Sequence, residues 1–425
     1  MTPIQRSAKF SSATHRAVAA LALSLAAAPV NAGSPPSELK MFVTSTSGNG
    51  DFSTDGTWAE TEGGGLTGLA AADRICQIRA ESATVPLAVA GSPVFRAWVS
   101  VAATDAFCHV LGLAGTVAND CNGQEPFPSP GPWYRVDGVP FVDSLDAFGG
   151  SRALGSASRN ENGIFVSSLA WTGSNGDGSA TLSTCGDWDS SAGFGSVGST
   201  TSELYWGELS GNGFLGCASN ARLYCFQAPA ASTPRRAWPG PAALVFLRTG
   251  GGSANLGGIA AADTICQSQA ANAGLPDPPS FRAWLSDDST NAGDRLTIDG
   301  PWRRVDGVRV AASKAALLDG DLDSAISVLP NGSQLSIADR AWTGTLTTGV
   351  KATNNCFGWT SFNVAHHGLV GSTDESGSFW TASNLDDNCN DPGRFYCFGN
   401  TVVVFWDRFE TGDISRWSGN VGYVP

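Results

Sequence analysis

The chain contains one module twice, and no other feature of its 425 residues restricts the fold as tightly. Gly68-Leu-Ala-Ala-Ala-Asp73-Arg-Ile-Cys76-Gln77 returns as Gly258-Ile-Ala-Ala-Ala-Asp263-Thr-Ile-Cys266-Gln267. Phe95-Arg96-Ala97-Trp98 returns as Phe281-Arg282-Ala283-Trp284, and Pro132-Trp133-Tyr134-Arg135-Val136-Asp137-Gly138 as Pro301-Trp302-Arg303-Arg304-Val305-Asp306-Gly307. Ala170-Trp171-Thr172-Gly173 returns as Ala341-Trp342-Thr343-Gly344, and Cys185, Cys217 and Cys225 return as Cys356, Cys389 and Cys397. Five blocks in one order place the copies at about 39–227 and 242–399. The offset between copies drops from 186 at Phe95 to 169 at Trp133, which locates a 17-residue insertion in the first copy. That stretch holds Cys108 and Cys121, the only cysteines without a counterpart. An insertion that brings an even pair most simply staples itself, which assigns Cys108–Cys121. The proline-rich connector, 228–241, should be extended and semi-rigid. Each copy has the length of an ordinary domain, so the expectation is two beads.

Residues 1–32 have the pattern of a secretory signal: basic Arg6, Lys9 and Arg16, a short apolar run from Ala17 to Ala28, and small residues at Val30-Asn31-Ala32. The run is too short to span a bilayer, and no later stretch is long and apolar enough. The expected mature chain is therefore exported, to the surface, the medium or the periplasm, with no transmembrane segment. The signal holds three of the 25 basic residues and none of the 38 acidic ones, so the remainder carries −16. Such a chain repels phosphate backbones, which argues against nucleic acid. All ten cysteines follow the signal, an even count that in an exported chain implies five disulfides. No Cys-x-x-C pair suggests a redox motif or a zinc ribbon.

Within a copy the periodicity alternates. Met41–Thr44 and Leu244–Leu247 have the composition of first strands. Ala72, Ile75, Cys76, Arg79 and Ala80 fall at helical spacing, and Asp73 and Asp263 are expected in the first helical turn, where a negative charge suits the dipole. Phe-Arg-Ala-Trp alternates like a strand. Short strands among Gly, Ser, Asn and Asp clusters follow, giving a loop-rich α+β fold with one main helix near the start of each copy.

These blocks resemble the endostatin domain and its bacterial relatives within the C-type-lectin-like fold. The shared features are the Ala-Asp-x-x-Cys helix, the Phe-Arg-Ala-aromatic strand, the Trp-x-Gly strand, the Cys-x-x-Trp element (Cys185/Trp188, Cys356/Trp359) and the Cys-x7-Cys ending. The tandem also resembles an exported bacterial family, known from spirochaetes among others, without an assigned activity. Sequence alone leaves three pairings open per copy. The resemblance implies Cys76–Cys225 with Cys185–Cys217, and Cys266–Cys397 with Cys356–Cys389. The zinc-binding histidine cluster of endostatin has no match near the start of either copy, and its heparin-binding arginines belong to a basic domain, unlike this acidic chain.

His109, His366 and His367 are the histidines beyond the signal, and no nucleophile–base spacing accompanies them. Gly211 to Gly216 matches a dinucleotide glycine pattern but lacks a βαβ context, so a tight loop is expected. Arg96 and Arg282 are expected to pair with Asp73 and Asp263, and Trp98, Trp171, Trp284 and Trp342 to anchor the core. The candidate ligand or calcium loop is Asn384, Asp386, Asp387, Asn388 and Asp391 around Cys389, since hard oxygen donors suit Ca2+. It is otherwise a solvated acidic loop. The C-terminal tail, 400–425, holds Phe409-Glu410-Thr411-Gly412-Asp413, which resembles a segment near the ends of many exported bacterial proteins. A sorting tag or a docking strand would fit it. The expected function is recognition of a glycan or an extracellular protein without catalysis; a structural envelope or matrix role is the alternative, and an enzyme a third.

Overall fold

A computed structural model describes residues 38–52, 58, 66–124, 129–145, 147, 152–209, 213–229, 240–383 and 385–403. The expected signal, most of the connector and residues 404–425 lie outside the described residues.

The first copy builds one sheet from β1 (Leu39–Val43), β2 (Phe95–Ala97), β3 (Trp133–Arg135), β4 (Pro140–Val142), β5 (Leu169–Trp171), β6 (Phe194–Ser199), β7 (Phe214–Gly216) and β8 (Arg222–Gln227). Their order is β4-β3-β1-β8-β5-β6-β7, with β2 also on β8. The second copy repeats this with β9 (Ala243–Leu247), β10 (Arg282–Ala283), β11 (Trp302–Arg304), β12 (Arg309–Ala311), β13 (Arg340–Trp342), β14 (His367–Ser372), β15 (Asp386–Asn388) and β16 (Tyr396–Phe398). Here the sheet parts into β10-β16-β9-β11-β12 and β13-β14-β15, because a single bridge, Ala341 to Arg394, replaces the β5–β8 ladder. The register repeats too: Phe42 opposes Cys225 and Phe246 opposes Cys397. The fold is α+β, strand-rich, loop-rich and braced by disulfides.

Strand alternation puts successive side chains on opposite faces, and both faces of the central strand are buried. Met41 and Val43 face a cluster with Trp98, Trp133 and Trp206, while Phe42 faces the helix Gly68–Ser82 with Trp171 and Trp188. The second copy divides in the same way around its helix Ile259–Asn272. Trp98, Trp171, Trp284 and Trp342 are all buried. Each helix buries the expected small stripe, Ala72, Cys76 and Ala80 in the first and Ala262, Cys266 and Ala270 in the second.

Neither helix has an acidic residue in its first turn. Asp73 and Asp263 lie further in, and each accepts a backbone N–H from the neighbouring strand, Ala97 and Ala283, at 2.9 Å. The helix–strand tie is thus carboxylate to backbone. Arg96 and Arg282 pair with these acids at 3.9 Å as expected, and each acid has a second, closer partner: His109 Nε2 at 2.8 Å from Asp73, and Arg295 on Asp263. His109 comes from the insertion, so the extra loop is fastened to the main helix as well as to itself.

Five disulfides close, Cys76–Cys225, Cys185–Cys217, Cys108–Cys121, Cys266–Cys397 and Cys356–Cys389. The first and fourth of these join each helix to the central antiparallel pair of its sheet.

The copies are not separate beads. The described residues belong to one compact unit, and the contact uses the same surface of each copy. Residues 201–203 run antiparallel to 374–376: Ser202 bridges Glu375, Glu203 N–H donates to Asp374 O at 3.0 Å, and Ser376 N–H donates to Thr201 O at 2.9 Å. Gly198 and Gly371 hold the same place in the two copies, so Ser202 and Glu375 are counterparts, as are Glu203 and Ser376, and the pairing has approximate two-fold symmetry, as in an isologous dimer interface. The Trp-x-Arg-x-Asp-Gly hairpin of each copy drives a fully buried arginine into this seam. Arg135 donates to the Asp323 backbone oxygen at 2.6 Å and to its carboxylate at 3.2 Å. Arg304 donates to both oxygens of Glu203, at 2.8 and 2.9 Å. The domain-like length of each copy suggested two beads; buried polar pairing between the copies joins them instead.

Candidate binding surface

The end of each copy remote in sequence from the helix is shaped by an unusual turn. Cys185, Gly186, Asp187 and Trp188 all have positive φ, as do Cys356, Phe357, Gly358 and Trp359, and Asp120, Cys121, Asn122 and Gly123 in the insertion. Consecutive left-handed L-residues are disfavoured by ~1–2 kcal/mol each and persist only where the surroundings over-determine them. Here the surroundings do. Each turn contains a bridged cysteine, and the residue before it, Thr184, Asn355 or Asn119, accepts the N–H three residues on. Two of the turns end in a buried tryptophan whose indole N–H donates to a backbone oxygen, Trp188 to Ser100 and Trp359 to Ser286, both at 2.8 Å.

In the second copy this rigid turn presents an aromatic. Phe357 has φ +56° and is 68% exposed, whereas its counterpart is Gly186. Its ring stacks on His366 at 4.2 Å between centroids. Phe357, Phe362, Val364, His366 and Asn390 line an open cavity of about 720 Å³. Phe362 and Val364 are also largely exposed. The Cys356–Cys389 bridge ties the turn under Phe357 to the loop that carries Asn390. At the equivalent end of the first copy, Phe194 and Phe214 form an exposed edge-to-face pair at 4.9 Å.

His366 Nδ1 and Ser361 Oγ share a 2.7 Å hydrogen bond. A serine–histidine contact is one part of a hydrolytic triad, whose histidine is oriented by a carboxylate on its other nitrogen. Among the described residues no carboxylate is hydrogen-bonded to His366. Ser361 Oγ also accepts the Asn363 N–H at 3.1 Å, so the pair folds the loop.

The acidic loop borders this cavity but does not converge. Asp386, Asp387 and Asn388 form β15, paired with β14. Adjacent strand residues point to opposite faces, which separates the two carboxylates. Asp386 accepts from Asn354 Nδ2 at 2.6 Å, and Asp387 meets Arg340 at 3.0 Å. Asp391 lies in the following turn, where its N–H donates to Asn388 O, and Asn384 lies outside the described residues. Among the described residues no three His, Cys, Asp or Glu side chains gather to hold a metal ion. The strand pairing accounts for this: Asp386, Asp387 and Asn388 are spread along an extended backbone. The cavity-lining residues Phe357 and Phe362 were not singled out from the sequence, and His366 was noted only as a histidine without a nucleophile at a matching spacing. The one available signal was Phe357 in the Cys-x-x-Trp element where the other copy has glycine.

The fold and this surface define a duplicated, disulfide-braced α+β protein with one elaborated tip. Among the described residues no helix is long and apolar enough to cross a membrane. Residues 250–376, within the second copy, match a family model described as protein of unknown function (DUF1554). No curated protein matches the chain.

Proposed function

We propose that this is an exported binding protein, built on an endostatin-like or C-type-lectin-like scaffold, that recognises a glycan or an extracellular protein through the tip of its second copy. The observation that carries the reading is Phe357, an exposed aromatic held in a left-handed conformation that glycine would adopt freely. A fold loses stability by keeping a phenylalanine there, and backbone strain concentrates where a side chain is needed for function. Aromatic faces flanked by amide and imidazole groups suit the apolar faces of sugar rings and the side chains of proteins alike. Recognition by loops on a rigid frame needs no catalytic group, and the five disulfides fit an oxidising compartment.

Phe357→Gly tests the reading without unfolding the tip, because Gly186 already occupies this turn in the other copy at φ +62°. The wild type and the variant would be applied to glycan and matrix-protein arrays, with and without EDTA. The expected result is binding by the wild type, at least a tenfold loss in the variant, and indifference to EDTA. A variant that binds as well as the wild type would remove Phe357 from the site. Loss of binding in EDTA would instead put calcium at the acidic loop.

A further inference from the structure

The two copies place different side chains at the centre of the two-fold seam. Counting from Gly198 and Gly371, which pair with the counterparts Ala170 and Ala341, the central residue is Ser202 in one copy and Glu375 in the other. The fold therefore accepts a small neutral side chain at this place in the seam and does not require an acid. Glu375 lines a groove of about 310 Å³ together with Ser168, Ser199, Thr201, Ser378 and Phe379. Since Ser168, Ser199 and Thr201 come from the first copy, the groove exists only because the copies are docked. Phe379 is 45% exposed.

Among the described residues no arginine, lysine or histidine lies within ion-pair distance of Glu375, although arginines satisfy Glu203 and Asp323 and serine hydroxyls satisfy Asp374. Burial pushes the Glu375 carboxyl up to about 7, a Thr201 hydrogen bond opposes this, and the neighbouring Asp374 adds to it. A desolvated acid without a cation weakens the fold, and Ser202 shows that the fold has an alternative. The missing positive charge can come from a ligand. One carboxylate among neutral hydroxyls offers too few anionic oxygens for a divalent cation, and it repels anions. It suits an ammonium group, whose N–H bonds can be shared between the carboxylate and the hydroxyl oxygens while its carbon chain lies against Phe379.

We propose that the groove between the copies binds the ammonium group of a small organic amine, with Glu375 as its counter-ion. The groove is at the small end of the range for ligand pockets, which favours a free amine over a folded partner. This site is separate from the Phe357 surface, and either can fail without the other.

Titration calorimetry on the full chain at pH 8 would compare ethanolamine with ethylene glycol, its uncharged analogue. The side-chain ammonium of an N- and C-blocked lysine would serve as a stand-in for a protein partner. Ethanolamine is expected to bind at least tenfold more tightly than ethylene glycol. Glu375→Ser, which copies the Ser202 side of the seam, is expected to abolish that binding while leaving thermal stability equal or higher. Glu375→Gln, which keeps the shape without the charge, should lose binding likewise. Equal binding of the glycol, undiminished binding by either variant, or no binding of ethanolamine would overturn the proposal. Binding of the blocked lysine alone would also overturn it, in favour of a protein lysine.

Discussion

Glu203→Ala removes the acid at the centre of the seam, and its effect can be worked from the contacts it breaks. The Glu203 carboxylate accepts from Arg304 at 2.8 and 2.9 Å, from Ala325 N–H at 2.8 Å, from Ser327 Oγ at 3.1 Å and from Gln334 Nε2 at 3.3 Å. Every one of those partners belongs to the other copy. Burial acts to lower the Arg304 pKa, but Asp306 and Glu203 outweigh it and hold the guanidinium charged. Orphaning one member of a buried pair costs about 3–5 kcal/mol. Arg304 retains Asp306 at 2.9 Å, so the lower end applies, about 3 kcal/mol. The loss falls on the seam and not within either core, since each copy has its own apolar clusters and nested disulfides. Calorimetry and urea unfolding followed by tryptophan fluorescence should show one transition in the wild type. In the variant the transition should split, with the earlier part about 5–10 °C lower. Adding Arg304→Met to Glu203→Ala should recover part of the loss, because no charge is then stranded. A shift under about 1 °C with one transition retained would refute the assignment of the seam as the element that couples the copies.

Stability should peak near pH 4–5 for two opposed reasons. Burial raises the Asp137 pKa, but Arg135, with Arg159 and Arg309, draws it down to about 2, so its contribution is present above the ordinary carboxylate range and is lost as pH falls through 2. Glu375, raised to about 7, contributes below pH 4.5 and loses that contribution as pH rises through 7, on the order of 3 kcal/mol; a pH series of melting temperatures on the wild type and Glu375→Gln checks this, the variant having a flat neutral limb. Replacing Cys356 and Cys389 by serine opens a loop of 33 residues, with an expected loss of ~4 kcal/mol from unfolded-state entropy measured by urea unfolding. The same variant should also lose the binding that depends on Phe357, because the bridge is the covalent tie between that left-handed turn and the Asn390 loop.

Much of the fold could be read from the chain because its determinants are local or repeated. The helical stripe at Ala72, Cys76 and Ala80 and the alternation at Phe95-Arg96-Ala97 follow from spacing. The duplication exposed the module, and the unmatched cysteines in the insertion marked their own bond. The candidate surface was much less legible. Asp386 and Asp387 looked like joint ligands because they are adjacent, yet adjacency within β15 sends them apart. Phe357 drew no notice, since the meaning of a phenylalanine beside a cysteine depends on a positive φ that composition does not encode.

By itself the sequence determined the module, its count, its α+β character and the five-fold bracing, because periodicity, repetition and cysteine number are properties of the chain. Tertiary structure alone decided that the copies dock, that Arg135 and Arg304 are buried in the seam, and that Glu375 faces a groove shared by both. The physical reason is that charged side chains take their meaning from what surrounds them. An arginine in a short strand next to an aspartate would be solvated on an isolated domain, and only the approach of residues more than a hundred positions away makes it a structural ion.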